Sequence, residues 1–119
     1  MLDVLIRGGW LADGTGSPPF LGDVAIDDGR IVEVGRLSAE ATAEHVIDAA
    51  GKVVCPGFVD PHSHSDFSLL ANPTAESTIR QGVTTEVVGN CGWSYAPITD
   101  ASRVYQTERL HTFGYDGPL

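Results

Sequence analysis

His62 and His64 stand one residue apart in the stretch VVCPGFVDPHSHSDF, residues 53–67, with Asp60 and Asp66 close on either side. Neutral imidazole is a good ligand for a divalent ion, binding Zn²⁺ at about 2.0–2.1 Å. In an extended strand, side chains i and i+2 point the same way, with Cα atoms roughly 6.5 Å apart. Phe58, Asp60, His62 and His64 would then share one face, and both imidazoles could converge on one metal at the strand's end. Asp60, on that face, could hold a ligand histidine in orientation by hydrogen bonding to it. A bare His-X-His is also common in polar surface turns, so the elements around it decide between the two readings.

Those elements favour the metal. GFVDPH reads as a short strand. NPTAESTIRQG, residues 72–82, carries helix signals: Asn72 as N-cap, Pro73 at the first helical position and Gly82 as the stop. VTTEVV, residues 83–88, is rich in β-branched residues and reads as another strand. Residues 57–88 thus predict a strand–helix–strand unit with parallel strands. Such units build their sites at the C-terminal ends of the strands. The first strand ends in the histidines. The second ends in GNCG, residues 89–92, which brings the Cys91 thiol to the matching edge between glycines that permit close backbone approach. A regular strand that directs Cys91 toward the site directs Glu86 away from it. Asp66 is expected as an exposed acid capping the loop. Trp93 and Tyr95 are placed either to line a substrate pocket or simply to pack. His45 and His111 have no supporting context, and Asp100 to Leu110 predicts a second helix with Val104 and Tyr105 on its inner side.

The first half is built differently. Leu2, Val4 and Ile6 alternate with Asp3, Leu5 and Arg7, and Val24 and Ile26 alternate with Asp23, Ala25 and Asp27. Asp28-Gly29 predicts a tight hairpin, because both central residues of a type I′ turn need positive φ. DAAGK, residues 48–52, reads as a further hairpin turn, and ADGTGSPPF, residues 12–20, as a loop. The expectation is a meander of antiparallel strands, or part of a β-sandwich, over 1–56, and a different domain from 57 to 119. A single strand–helix–strand unit cannot cover both faces of its sheet, so the second half reads as the opening of something larger.

The chain has 119 residues, with 16 acidic against 7 basic side chains and a formal charge of −9. Nucleic acid and anionic membrane surfaces attract Lys/Arg clusters, so neither is an expected partner. No apolar stretch approaches the ~20 residues of a membrane span. The start, MLDVLIRGGW, lacks the basic and apolar regions of a secretory signal, and a cytoplasmic location is expected. Cys55 and Cys91 are too few for a disulfide framework and would remain thiols in a reducing compartment. Cys55, in an apolar strand, is expected to be buried.

VVCPGFVDPHSHSD resembles the first barrel strand of the amidohydrolase superfamily, whose pattern is an apolar run, Pro-Gly, then Asp-X-His-X-His. RQGVTTEVVGNCG is more specific and resembles the N-acyl-D-amino-acid deacylases, the D-aminoacylases. LIRGGWLADGTGSPPFLGDVAIDDGRIVEVG is similar to the β-sandwich half of that family. The resemblance implies an α/β fold: part of a composite β-sandwich over 1–56, then the first β-α-β unit of a TIM-like (β/α)8 barrel over 57–119. It implies metal-binding roles for His62, His64 and Cys91 toward one or two ions, with zinc as the cofactor. In that family the cysteine and two later histidines hold the tight zinc, while the His-X-His pair belongs to an adjacent, weaker site. The implied chemistry is metal-dependent hydrolysis of a small-molecule N-acyl-D-amino acid.

A complete barrel needs about 250 residues, so the chain is expected to be the N-terminal portion of such an enzyme. No catalytic residue is expected within it, the acid/base aspartate belonging to the last barrel strand. The 119 residues alone are expected to be inactive and to need the rest of the barrel or self-association. Two alternatives stand beside this reading. One is a dihydroorotase- or hydantoinase-like hydrolase of cyclic amides, which would bridge two metals with a carboxylated lysine; Lys52, the only lysine, lies outside the barrel strands. The other is a non-catalytic metal-binding module.

Overall fold

The computed structural model describes residues 1–119, which fall into two compact units, Met1–Pro56 and Gly57–Leu119. The first unit is one sheet of five strands: β1 (Leu2–Leu11), β2 (Phe20–Asp27), β3 (Arg30–Gly35), β4 (Ala43–Asp48) and β5 (Val53–Val54). The order is β3-β2-β1-β4, with β5 also paired to β1. The β2–β3 hairpin turns at Asp28 and Gly29, with φ of 49° and 68°, the pair of positive values that a type I′ turn requires. Asp3 reinforces it, its carboxylate accepting from the Asp28 N–H at 2.8 Å.

The expected antiparallel meander holds only for β1, β2 and β3. Both β4 and β5 run parallel to β1 and share one edge of it, β4 along Leu2–Arg7 and β5 along Trp10–Leu11. The segment 48–52 is therefore a bulged interruption between two collinear strands, not a reversal. The Ala49 N–H reaches the Arg7 carbonyl, and the Trp10 N–H reaches that of Lys52. Glycine makes this possible: a Cβ on Gly9 would stand 2.5 Å from Val54 Cγ2 and 3.1 Å from Ala49 Cβ. Leu5, Leu11, Val24, Ala25 and Ala49 form the buried core. Asp23 is buried among them and satisfied, accepting from the Gly8 and Leu37 N–H groups beside the Arg7 guanidinium. Cys55 is exposed, against expectation. It follows the last residue of the two-residue β5, where the ladder ends before Pro56.

The second unit contains β6 (Phe58–Asp60), α1 (Glu76–Ile79), β7 (Val83–Glu86) and α2 (Asp100–Thr112). β6 and β7 pair in parallel, Asp60 beside Glu86, with a register shift that leaves Thr84 opposite the start of β6. Gly57 is required there, because a Cβ would meet the Thr84 side chain and lie 2.7 Å from its Cβ. The predicted helix over 72–82 shrinks to the single turn α1. Ala75 has φ +47°, so the helix cannot run through it, and Asn72 is used locally, its side chain accepting from the Thr74 hydroxyl. Gly82, φ +83°, stops the turn as its sequence position suggested.

α2 starts with a reciprocal cap between Thr99 and Ser102 and has Arg109 and His111 in its last turn, where the dipole favours cations. Val104 and Tyr105 face outward rather than inward. The inner stripe is instead Ser102, Gln106, Arg109 and the fully buried Leu110, a polar face that apolar patterning misplaces. No helix is long and apolar enough to cross a membrane.

Candidate metal centre

Both strands of the small parallel sheet end early, and the turns beyond them carry the groups that could bind a metal. β6 stops at Asp60 because Pro61 has no N–H and the Asp60 carboxylate takes the His62 N–H at 3.0 Å, bending the chain. His62 and His64 therefore lie past the strand and not on it, so strand alternation is not what aims them. Asp60 fixes the His62 main chain; no hydrogen bond joins it to an imidazole.

β7 likewise stops at Glu86, and the chain turns through Gly89, Cys91 and Gly92 at φ of 80°, 57° and 71°. A left-handed conformation at Cys91 costs a non-glycine residue about 1–2 kcal/mol. It turns the thiol back toward the first loop. Asn90 ties the loops together, its amide donating to the Ser63 carbonyl at 3.1 Å and the Val87 carbonyl at 2.8 Å. The Ser63 N–H donates to the Val87 carbonyl, and the Val87 N–H to that of Asp60.

The result is a cluster of three ligand groups. Cys91 Sγ is 3.3 Å from His62 Nε2. One ligand atom from each of His62, His64 and Cys91 lies within 4.8 Å of the others. A tetrahedral zinc with N and S ligands spaces its donors about 3.3–3.6 Å apart. The thiol–His62 pair already meets that spacing, and the wider limit needs a small closure or a second adjacent ion. His64 Nδ1 is buried without a hydrogen-bond partner, an atom a cation would satisfy. Thiolate and imidazole together suit zinc, whereas magnesium and calcium prefer oxygen. The donor set fits the ion.

Around the cluster, His62 and His64 meet edge to face at 5.5 Å, and the Trp93 ring lies 5.6 Å from His64. Trp93 thus borders the site, while Tyr95 packs on the buried Phe67 at 4.4 Å. The Arg109 guanidinium lies over the rings of Trp93 and Phe67, at 4.3 and 4.5 Å from their centres. Burial pushes the Tyr95 hydroxyl above its usual pKa; the charge of Asp66 adds to the shift and that of Arg109 opposes it. Asp66 was expected as an exposed cap. It is half-buried in the 3-10 turn at Ser65–Phe67, with Oδ1 inside and unpartnered.

Glu86 is the residue that strand reasoning missed. Its carboxylate accepts from the Ser63 hydroxyl at 3.2 Å and the Ser65 hydroxyl at 2.6 Å, gripping the histidine loop from the side. The available signal was the serines alternating with the histidines and a lone acid within a β-branched strand. His45 pairs with Glu44 on β4, and His111 with Asp116 after α2; neither joins the cluster. The Lys52 amine donates to the Asp48 carbonyl in the first unit.

Comparison with known proteins identifies the family. The model of the amidohydrolase family matches residues 45–119, more than half of the chain. N-acyl-D-glutamate deacylase of Alcaligenes xylosoxydans xylosoxydans is 48% identical over 96 residues, covering 81% of this chain and 20% of that protein. The crystal structure of N-acyl-D-glutamate deacylase from Bordetella bronchiseptica, complexed with zinc and a phosphonate inhibitor, superimposes with a TM-score of 0.81. It is 41% identical and covers 99% of this chain and 24% of that one. A D-aminoacylase structure studied for its binuclear metal centre gives a TM-score of 0.77 at 48% identity, covering 87% of this chain and 22% of that one. The chain spans about a fifth of the length of the relatives it matches.

Proposed function

The chain belongs to the amidohydrolase family, and we propose that it supplies the metal-binding opening of a deacylase that hydrolyses the amide bond of N-acyl-D-amino acids. The observation that carries this reading is the approach of the Cys91 thiol to within 3.3 Å of His62, beside His64, beyond the ends of two parallel strands. The substrate class follows from the deacylases that the chain resembles. Zinc, when bound, supplies Lewis acidity for the amide oxygen and lowers the pKa of water.

The chain's own residues provide the ligands and hold them. His62, His64 and Cys91 would hold one ion or two adjacent ones; Asp60, Asn90 and Glu86 fix the two loops. Asp60 and Glu86 are engaged in that work, so the carboxylate that moves the proton is expected outside these residues, as the family resemblance implies. The parallel β6–α1–β7 unit is read as the start of a (β/α)8 barrel, and the sheet of Met1–Pro56 as part of a composite β-sandwich. Phe58 and Val59 are 55% and 61% exposed, apolar surface that further barrel strands would cover. The thiol among the site's candidate ligands favours this reading over a lysine-bridged hydrolase of cyclic amides. A reducing, cytoplasmic setting would keep Cys91 available.

The test uses the polypeptide in which this chain naturally occurs. Zinc-loaded, it should release the D-amino acid from an N-acetyl-D-amino acid and leave the L enantiomer. Chelation should stop the reaction and zinc restore it, while Cys91→Ala should not recover. The 119 residues alone should show no useful rate, since acid/base catalysis contributes roughly 10²–10⁴-fold. Activity that survives complete metal removal, or hydrolysis of cyclic amides alone, would refute the assignment.

A further inference from the structure

We infer that Glu86 is a positioning residue for the metal site, acting on His62 and His64 through Ser63 and Ser65. The inference rests on the proposed role of the histidines and Cys91 as ligands. An ionised carboxylate only accepts hydrogen bonds, so both serine hydroxyls must donate to Glu86. They do so to separate oxygens, Ser63 to Oε1 at 3.2 Å and Ser65 to Oε2 at 2.6 Å. The Ser63 hydroxyl in turn accepts from the Ser65 N–H at 3.1 Å. The two serines alternate with the two histidines along His62-Ser63-His64-Ser65. A grip on residues 63 and 65 from the end of β7 therefore sets the direction in which residues 62 and 64 project. Because Glu86 ends the same strand that leads into the Cys91 loop, one side chain couples the placement of both sets of ligands. Hydrogen bonds to an ionised group are shorter and roughly twice as strong as neutral ones, which suits a clamp on a loop without regular structure.

Glu86 itself is not one of the three clustered ligand groups. Its effect must pass through the serines, and this separates positioning from direct coordination. Removing hydrogen-bond partners that orient metal ligands typically costs 10–100-fold in metal affinity.

The experiment titrates the polypeptide in which this chain naturally occurs, purified without metal, with Zn²⁺ against a chromophoric chelator, and records the visible spectrum with Co²⁺ as a report of tetrahedral coordination. Glu86→Ala should weaken zinc binding by about 10–100-fold and diminish the tetrahedral cobalt spectrum. Glu86→Gln keeps one acceptor oxygen and offers an N–H to the other serine, so it should lose clearly less zinc affinity than Glu86→Ala. The paired Ser63→Ala, Ser65→Ala variant should reproduce the Glu86→Ala loss, and adding Glu86→Ala to it should weaken binding little further. Circular dichroism of each metal-free variant checks that the fold persists. The inference is overturned if Glu86→Gln is as damaging as Glu86→Ala, or if the serine pair can be removed without loss. It is also overturned if losses from the serine pair and Glu86→Ala simply add. A parent chain that binds neither zinc nor cobalt would instead overturn the metal reading beneath it.

Discussion

Cys91 has a left-handed backbone, φ 57° and ψ 22°, in a turn whose Gly89 and Gly92 also have positive φ. This makes an unusual comparison possible: Cys91→Gly against Cys91→Ala. Both remove the thiol, so the loss of its 3.3 Å approach to His62 Nε2 cancels between them. What remains is the backbone. At an ordinary helix or strand position glycine is about 0.5–1 kcal/mol less stable than alanine, because it loses more freedom on folding. In the left-handed region alanine carries a penalty of about 1–2 kcal/mol that glycine escapes. The terms oppose, and the conformational penalty is the larger. Cys91→Gly should therefore be the more stable of the two by about 0.5–1 kcal/mol. With a urea dependence of roughly 1–3 kcal/mol per molar, its unfolding midpoint should lie about 0.2–1 M higher. The assay is urea unfolding of both metal-free variants, followed by far-ultraviolet circular dichroism, with the slopes required to agree. Both variants should also lose zinc affinity, so the comparison would show strain held at a ligand for the sake of its direction. An alanine variant as stable as the glycine variant, or more so, would refute the argument.

Other predictions follow from single contacts. Gly57→Ala places a Cβ inside the Thr84 side chain, whose branched Cβ cannot swing aside. It should destabilise the chain by about 1–3 kcal/mol as β6 and β7 are forced apart, and calorimetry showing no change would contradict the close approach. Tyr95, its pKa raised chiefly by burial, should ionise above the usual tyrosine range in a spectrophotometric titration, and Tyr95→Phe should remove that late phase. The sign follows from linkage: the unfolded tyrosine gives up its proton first, so this stabilisation is complete below about pH 10 and is lost as pH rises through the folded pKa. An unchanged late phase in Tyr95→Phe would place the shift on another tyrosine.

Local signals read well where a few neighbouring residues suffice. Asp28-Gly29 forms its turn because both residues must take positive φ, and Gly82 ends its helix for the same reason. The parallel pairing of β6 and β7 and the approach of Cys91 to the histidines were also readable, from β-branched runs ending in ligand types at matching positions. The extent of the elements was not. Asn72 and Pro73 look like the opening of a helix, but Ala75 is left-handed and only one turn survives, too short to be held by its own hydrogen bonds. Val104 and Tyr105 look like an inner face, yet α2 turns Gln106, Arg109 and Leu110 inward, where the Arg109 guanidinium covers the faces of two aromatic rings.

The sequence by itself determined which chemistry was possible: a thiol and two imidazoles, spaced so that adjacent strands of a parallel pair could deliver them to one edge. It also determined the register of the β2–β3 turn. Only the tertiary structure decided how the ligands are aimed. The histidines lie beyond β6, so their direction depends on Glu86, 21 residues or more away along the chain, and on Asn90, 27 residues beyond Ser63. The same holds for β4 and β5, whose parallel course beside β1 depends on close packing against Gly9. Periodicity and turn residues report energies local to a few positions. A hydrogen bond or a close contact between distant segments leaves no such pattern, and it exists only once the chain has brought those segments together.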